Sequence, residues 1–142
     1  MERAIYTPPG GPPQGPGPNP EIYKVMGEAN IFRMMSDLYK EIEKSDIRRL
    51  FPADMEEASR KSALFFVTIL GGPPLYALKF GPPRMRARHI PFEIDEQARQ
   101  TWLACFERTL EGADAKYNFP REHLQGFKDF LKSFSAWMVN KA

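Results

Sequence analysis

GEANIFRMMSDLYKEIEK, residues 27 to 44, decides the fold class. Within it Ile31, Met34, Met35, Leu38, Tyr39 and Ile42 recur at steps of three and four, which at 3.6 residues per turn sets them along one face. An amphipathic helix ending near Lys44 follows. Further along, Asp54 with Glu57 three residues later is a capping-box pair that opens a second helix, and Gly71, Gly72, Pro73 and Pro74 close it. Its inner face reads Met55, Ala58, Ser62, Phe65, Phe66 and Ile69, with Glu56–Arg60 and Glu57–Lys61 as favourable pairs on a solvated flank. Between residues 73 and 93 five prolines leave room only for short turns, around Leu75 to Phe80 and Arg84 to His89. A third long helix is predicted from its cap Asp95 through Ala98, Trp102, Cys105, Phe106 and Thr109 to near Gly112. A fourth begins near Pro120 and carries Leu124, Phe127, Phe130, Leu131, Phe134, Trp137 and Met138. No segment alternates as a strand would, so the chain reads as all-α.

Working back to the N-terminus, residues 1–20 hold seven of the fourteen prolines and four of the ten glycines. Such a stretch has too little apolar matter to fold, and reads as a flexible, solvated arm or as a ligand for a proline-recognising module. Residues 21–142 then make one domain, large enough for one core and one ligand cavity. Twenty basic against eighteen acidic residues leave a charge of +2, too small for a broad field toward nucleic acid or an anionic membrane. The single cysteine, Cys105, excludes an internal disulfide framework, covalent haem attachment through a CxxCH pair and a multi-cysteine zinc site. It is predicted to be an inert core thiol. The longest apolar run, Ala63 to Leu70, is too short to span a membrane, and a cytoplasmic protein is expected.

Two core-facing positions carry hydrogen-bond donors, Tyr39 and Trp102. Each either bonds a backbone carbonyl or serves a ligand. On the second helix the small residues Ala58 and Ser62 fall on successive turns of a face otherwise filled by Met and Phe. They leave a hollow for bulky neighbours or for a planar ligand. RMRARHIPF, residues 84 to 92, places three arginines just before His89. A neutral imidazole on a short constrained turn suits a haem iron, and the arginines suit the two haem propionates; the alternative is a surface patch without a specific partner. His123 carries no comparable context.

DLYKEI (37 to 42), LFPADM (50 to 55), GGPPLY (71 to 76), RMRARHIPF (84 to 92) and TWLACF (101 to 106) occur in the order of the group II truncated haemoglobins, and the chain resembles that family from about Ile22 to Lys141. The resemblance implies a two-over-two helical sandwich around a non-covalent haem b. His89 would be the proximal iron ligand, with Tyr39, Trp102 and Ser62 facing bound ligand. Phe51, Ala58, Phe65, Phe66, Met55 and Leu38 would line the haem, and Arg84, Arg86, Arg88 and Lys61 would meet the propionates. Ala58 stands where many globins have a distal histidine, Ser62 where relatives have leucine or glutamine, and Pro82 where a histidine is common.

The function so implied is reversible binding of O2, NO or CO with slow release rather than bulk transport, in a monomer or homodimer served by an unidentified reductase. NO dioxygenation or peroxide reduction on the same site is a second possibility. A haem-free helical interaction module using the arm and the basic turn is a third.

Overall fold

The computed structural model describes residues 3–142, and among them there is helix but no strand. The chain runs through α1 (Glu21–Met26), α2 (Glu28–Glu43), a 3-10 turn (Asp46–Leu50), α3 (Met55–Ile69), α4 (Leu75–Phe80), α5 (Met85–His89), α6 (Glu96–Leu110) and α7 (Ala113–Tyr117). A second 3-10 turn (Arg121–His123) leads into α8 (Leu124–Met138). α2 packs chiefly on α3 and α6, and α6 on α8, so two helix pairs face each other across the core.

Local chemistry sets the ends of these helices. The carboxylate of Asp54 accepts from the Glu57 N–H (3.0 Å) at the head of α3, and that of Asp95 accepts from the Ala98 N–H (2.8 Å) at the head of α6. Each satisfies a backbone donor that the first helical turn leaves open. α3 stops at Leu70, after which Gly71 has φ +107° and lies against Pro20. A Cβ there would come within 2.3 Å of the Pro20 carbonyl oxygen, so only glycine fits.

Ile31, Met34, Met35, Leu38 and Ile42 of α2 are fully buried, as their spacing predicts. α3 departs from its predicted face. Ala58, Ser62 and Ile69 are only half-buried, while Ser59, Ala63, Val67 and Leu70 are buried. The reason is that α3 has two inward sides, one against the core and one along a cavity, and a single apolar stripe cannot describe both. Phe66, Phe106, Phe119 and Phe127 meet at ring-centroid distances of 5.4 to 6.1 Å and join α3, α6 and α8 in one aromatic layer. Cys105 is fully buried and its thiol is pushed up by burial, the inert state expected of it.

Three short elements, α1, α7 and the first 3-10 turn, had no periodic signature in the sequence. α7 earns its place through Tyr117, a buried residue whose hydroxyl donates to the Asp37 carboxylate on α2 (2.5 Å). Burial, then the neighbouring carboxylate, pushes the Tyr117 phenol above its ordinary value of 10. The folded chain therefore keeps a proton that the unfolded chain releases, and this contribution to stability is present below about pH 10 and lost as pH rises beyond it. A thermal midpoint falling above about pH 10 is expected, with a shallower fall in Tyr117→Phe.

Candidate functional site

A cavity of about 500 Å³ opens between α3, α5 and α6, within the range of about 300–1,000 Å³ usual for small-molecule and cofactor sites. One wall comes from α2 and the turn after it. Tyr39 is there with Leu50 and Phe51, the Tyr39 and Phe51 rings meeting edge to face at 5.5 Å. α3 supplies Ala58, Lys61, Ser62, Phe65 and Phe66, so the two small residues do border an open volume. α6 supplies Trp102, whose ring is braced by Phe106 at 4.9 Å and Phe134 at 6.4 Å. His89 lines the cavity from the last residue of α5.

The chemistry of His89 is set by one hydrogen bond. Its Nδ1 lies 2.6 Å from the Met85 carbonyl oxygen, which can only accept, so Nδ1 carries the proton and Nε2 keeps its lone pair. Burial holds the imidazole below its ordinary value of 6.5, with the Met85 bond acting weakly the other way. The ring is thus kept neutral with one nitrogen free to ligate. Tyr39 is its counterpart: burial raises the phenol, the neighbouring Ser62 hydroxyl offsets this in part, and the group stays a donor at neutral pH.

The structure separates the remaining residues named from the sequence. Leu38 and Met55 are buried in the core and do not line the cavity, because their helical phase turns them into the layer between α2 and α3. Arg88 and Lys61 do border it, but Arg84 and Arg86 do not. The Arg86 guanidinium is already engaged, donating to the carbonyls of Trp137 (2.5 Å), Val139 (2.9 Å) and Tyr6 (2.9 Å) and stacking on the Trp137 ring at 4.4 Å. On a five-residue helix, positions two apart point in different directions, so three alternating arginines cannot all serve one site.

Sequence reasoning missed Tyr76, Phe92, Ile94 and Arg99, all of which line the cavity. Arg99 had a usable signal, since it lies three residues before Trp102 on the same helical face. Its guanidinium is held by Ser135 (3.0 Å), Glu96 and the Lys132 carbonyl (2.8 Å). The charged residues that border the cavity are Lys61, Arg88 and Arg99 with Asp54 and Glu57. From Lys61 to Phe92 the chain carries Lys61, Lys79, Arg84, Arg86 and Arg88 but no acidic residue. Both Lys61 and Lys79 sit over the Phe80 ring, at 4.7 and 5.5 Å.

A largely apolar slot with a neutral imidazole on one wall, a phenol and an indole on others, and Lys61 and Arg88 among the polar groups that border it is a globin-type haem pocket. The comparisons agree. The chain matches the bacterial-like globin family over residues 21–138. It is 33% identical over 108 residues to the group 2 truncated hemoglobin YjbI of Bacillus subtilis, an alignment covering 72% of this chain and 82% of that one. Among solved structures it is similar to phosphate-bound Hell's gate globin IV, with TM-score 0.82 and 36% identity over 91% of this chain and 80% of the other. The truncated oxygen-avid haemoglobin of Bacillus subtilis superposes with TM-score 0.77 and 29% identity over 86% and 99% of the two chains. The protein belongs to the bacterial-like globin family and is a group II truncated haemoglobin, a haem protein that binds small ligands. The haem-free module is not favoured.

Proposed function

We propose that this chain binds haem b without a covalent link and retains dioxygen tightly, releasing it slowly, in the cytoplasm. The observation that carries this reading is the neutral His89 ring, with Nδ1 committed to the Met85 carbonyl, bordering the same cavity as the Tyr39 hydroxyl and the Trp102 indole. The only cysteine lies outside that cavity, which favours non-covalent binding.

Haem supplies the iron at which a diatomic ligand takes up electron density. The rest falls to the side chains. His89 would hold the iron through Nε2, its bond to the Met85 carbonyl fixing both tautomer and ring orientation. Lys61, which borders the cavity over the Phe80 ring, would hold a propionate there, and Arg88 would do so by turning from its bonds to the Phe80, Pro82 and Pro83 carbonyls. Tyr39 and Trp102, which border the cavity, would donate to a ligand on that iron, and donors that meet growing negative charge strengthen their bonds. Phe51, Phe65 and Phe66 exclude water. The oxygen avidity of the similar truncated haemoglobin from Bacillus subtilis supports the same direction.

The test is titration of the purified chain with hemin, followed by reduction and exposure to O2 and CO. One haem per chain is expected, with a Soret band that shifts on adding each gas. A chain that gives only the spectrum of free hemin would overturn the reading.

A further inference from the structure

α5 carries the proposed iron ligand, yet little in the helix itself holds it in place. It has five residues and none is buried; Arg84 before it is in the left-handed region at φ +42° and supplies no side-chain cap. An isolated turn of that length does not persist in water. Its position must come from outside: Arg88 ties it to the carbonyls of Phe80, Pro82 and Pro83 on one side, and the contacts on the other belong to the two chain ends.

Asn140 is completely buried and uses every polar group it has. Its Nδ2 donates to the His89 carbonyl (3.1 Å), and its Oδ1 accepts from the Ile94 N–H (3.1 Å) and from Arg3 (2.8 Å). Its backbone N–H donates to the Ile94 carbonyl (2.9 Å), and its own carbonyl accepts from the Tyr6 N–H (3.0 Å) and Arg3 (2.9 Å). The Arg3 guanidinium also donates to the carbonyls of Ile90 (2.7 Å) and Phe92 (3.1 Å), directly after the helix. Arg86 completes the arrangement from within α5 through the carbonyls of Trp137, Val139 and Tyr6. Within the segment that composition marked as a solvated arm, Arg3 and Tyr6 are thus tied to α5 and the C-terminal tail.

We infer that the start of the N-terminal arm and the C-terminal tail form a polar clasp, centred on Asn140 and Arg3, that positions His89 for its ligand. Arg3, Asn140 and Arg86 are positioning residues acting through the backbone of residues 85–92. The inference about iron rests on the function proposed above; the clasp itself does not need haem.

Two variants test it: Arg3→Ala, which leaves the core intact, and Asn140→Asp, which keeps the acceptor but loses the donor to His89. The first readout is amide exchange at Arg88, Ile90 and Phe92 in the full chain without haem, where each variant is expected to exchange about ten-fold faster while amides of α2 and α8 are unchanged. The second is the iron–histidine stretching band of the ferrous haem-loaded chain and the rate of haem transfer to excess apomyoglobin. A shifted or broadened band and about ten-fold faster transfer are expected. Unchanged exchange at residues 85–92 overturns the clasp. A loss of protection that spreads equally through α2 and α8 overturns it too, since that marks a general loss of stability. Faster local exchange with an unaltered iron–histidine band and transfer rate overturns the positioning role. If the parent chain takes up no haem, the function proposal fails, while the exchange result still decides the clasp.

Discussion

His89→Gly is expected to lower haem retention by more than about a hundred-fold, and imidazole added to the solution is expected to restore most of the loss. The magnitude follows from the coordination argument: even the outer-shell partners of a metal-ligating histidine carry ten- to a hundred-fold in affinity, and here the ligand itself is removed. The cost to the fold is small by comparison. His89 lies at the end of a helix that buries no residue, so glycine there loses about 1 kcal/mol of helix propensity and opens no core cavity. Rescue is possible because the deleted ring leaves space in a slot already bordered by Met85, Phe92 and Ile94. The measurement is the Soret band during hemin titration, with and without imidazole. A variant that keeps the parent spectrum and affinity would show that His89 is not the ligand, and Tyr39, Trp102 and the cations would need another explanation. His123 does not border the cavity and offers no substitute ligand.

How much of this was legible beforehand differs by residue and for physical reasons. α2, α3, α6 and α8 could be read because each buries a stripe at helical spacing, and the Asp54 and Asp95 caps are written in single residues. Even α4 and α5 were marked, because prolines bracket them. The cavity was partly legible as well: Ala58 and Ser62 are small where the pattern calls for bulk, and both border it. What could not be read is direction. Leu38 neighbours Tyr39, yet one turns into the core and the other to the cavity, a difference of about 100° around the helix. Arg86 and Arg88 look equivalent in RMRARH, and only the tertiary positions of Trp137, Val139 and Tyr6 decide that Arg86 faces away. Asn140 carried no signal at all. A polar residue two places from the C-terminus reads as solvent-exposed, and its burial depends on contacts 46 to 137 residues distant in the chain.

Replacing both distal donors, Tyr39→Phe with Trp102→Leu, is expected to speed dioxygen release from the ferrous protein by roughly a hundred- to ten-thousand-fold. Hydrogen bonds to a charged partner contribute about 1.5 to 3 kcal/mol each, and a loss borne wholly by dissociation converts at about ten-fold per 1.4 kcal/mol. Both donors survive at neutral pH, since burial raises the phenol of Tyr39 and an indole N–H can only donate. The single variants should not simply multiply to the double. Ser62 stands beside the Tyr39 phenol and borders the same cavity, so its hydroxyl can serve the ligand once the phenol is gone. Tyr39→Phe alone should therefore cost less than half of the combined effect on a logarithmic scale, and Ser62→Ala should matter more in its background than in the parent. Carbon monoxide supplies the internal control, because it gathers less negative charge than dioxygen and its release should respond far less to losing the same donors. Stopped-flow displacement of each gas from the parent and each variant measures these rates. Dioxygen release from the double variant within about three-fold of the parent would mean that the phenol and indole do no more than line the wall. Retention would then have to come from the apolar enclosure of Phe51, Phe65 and Phe66.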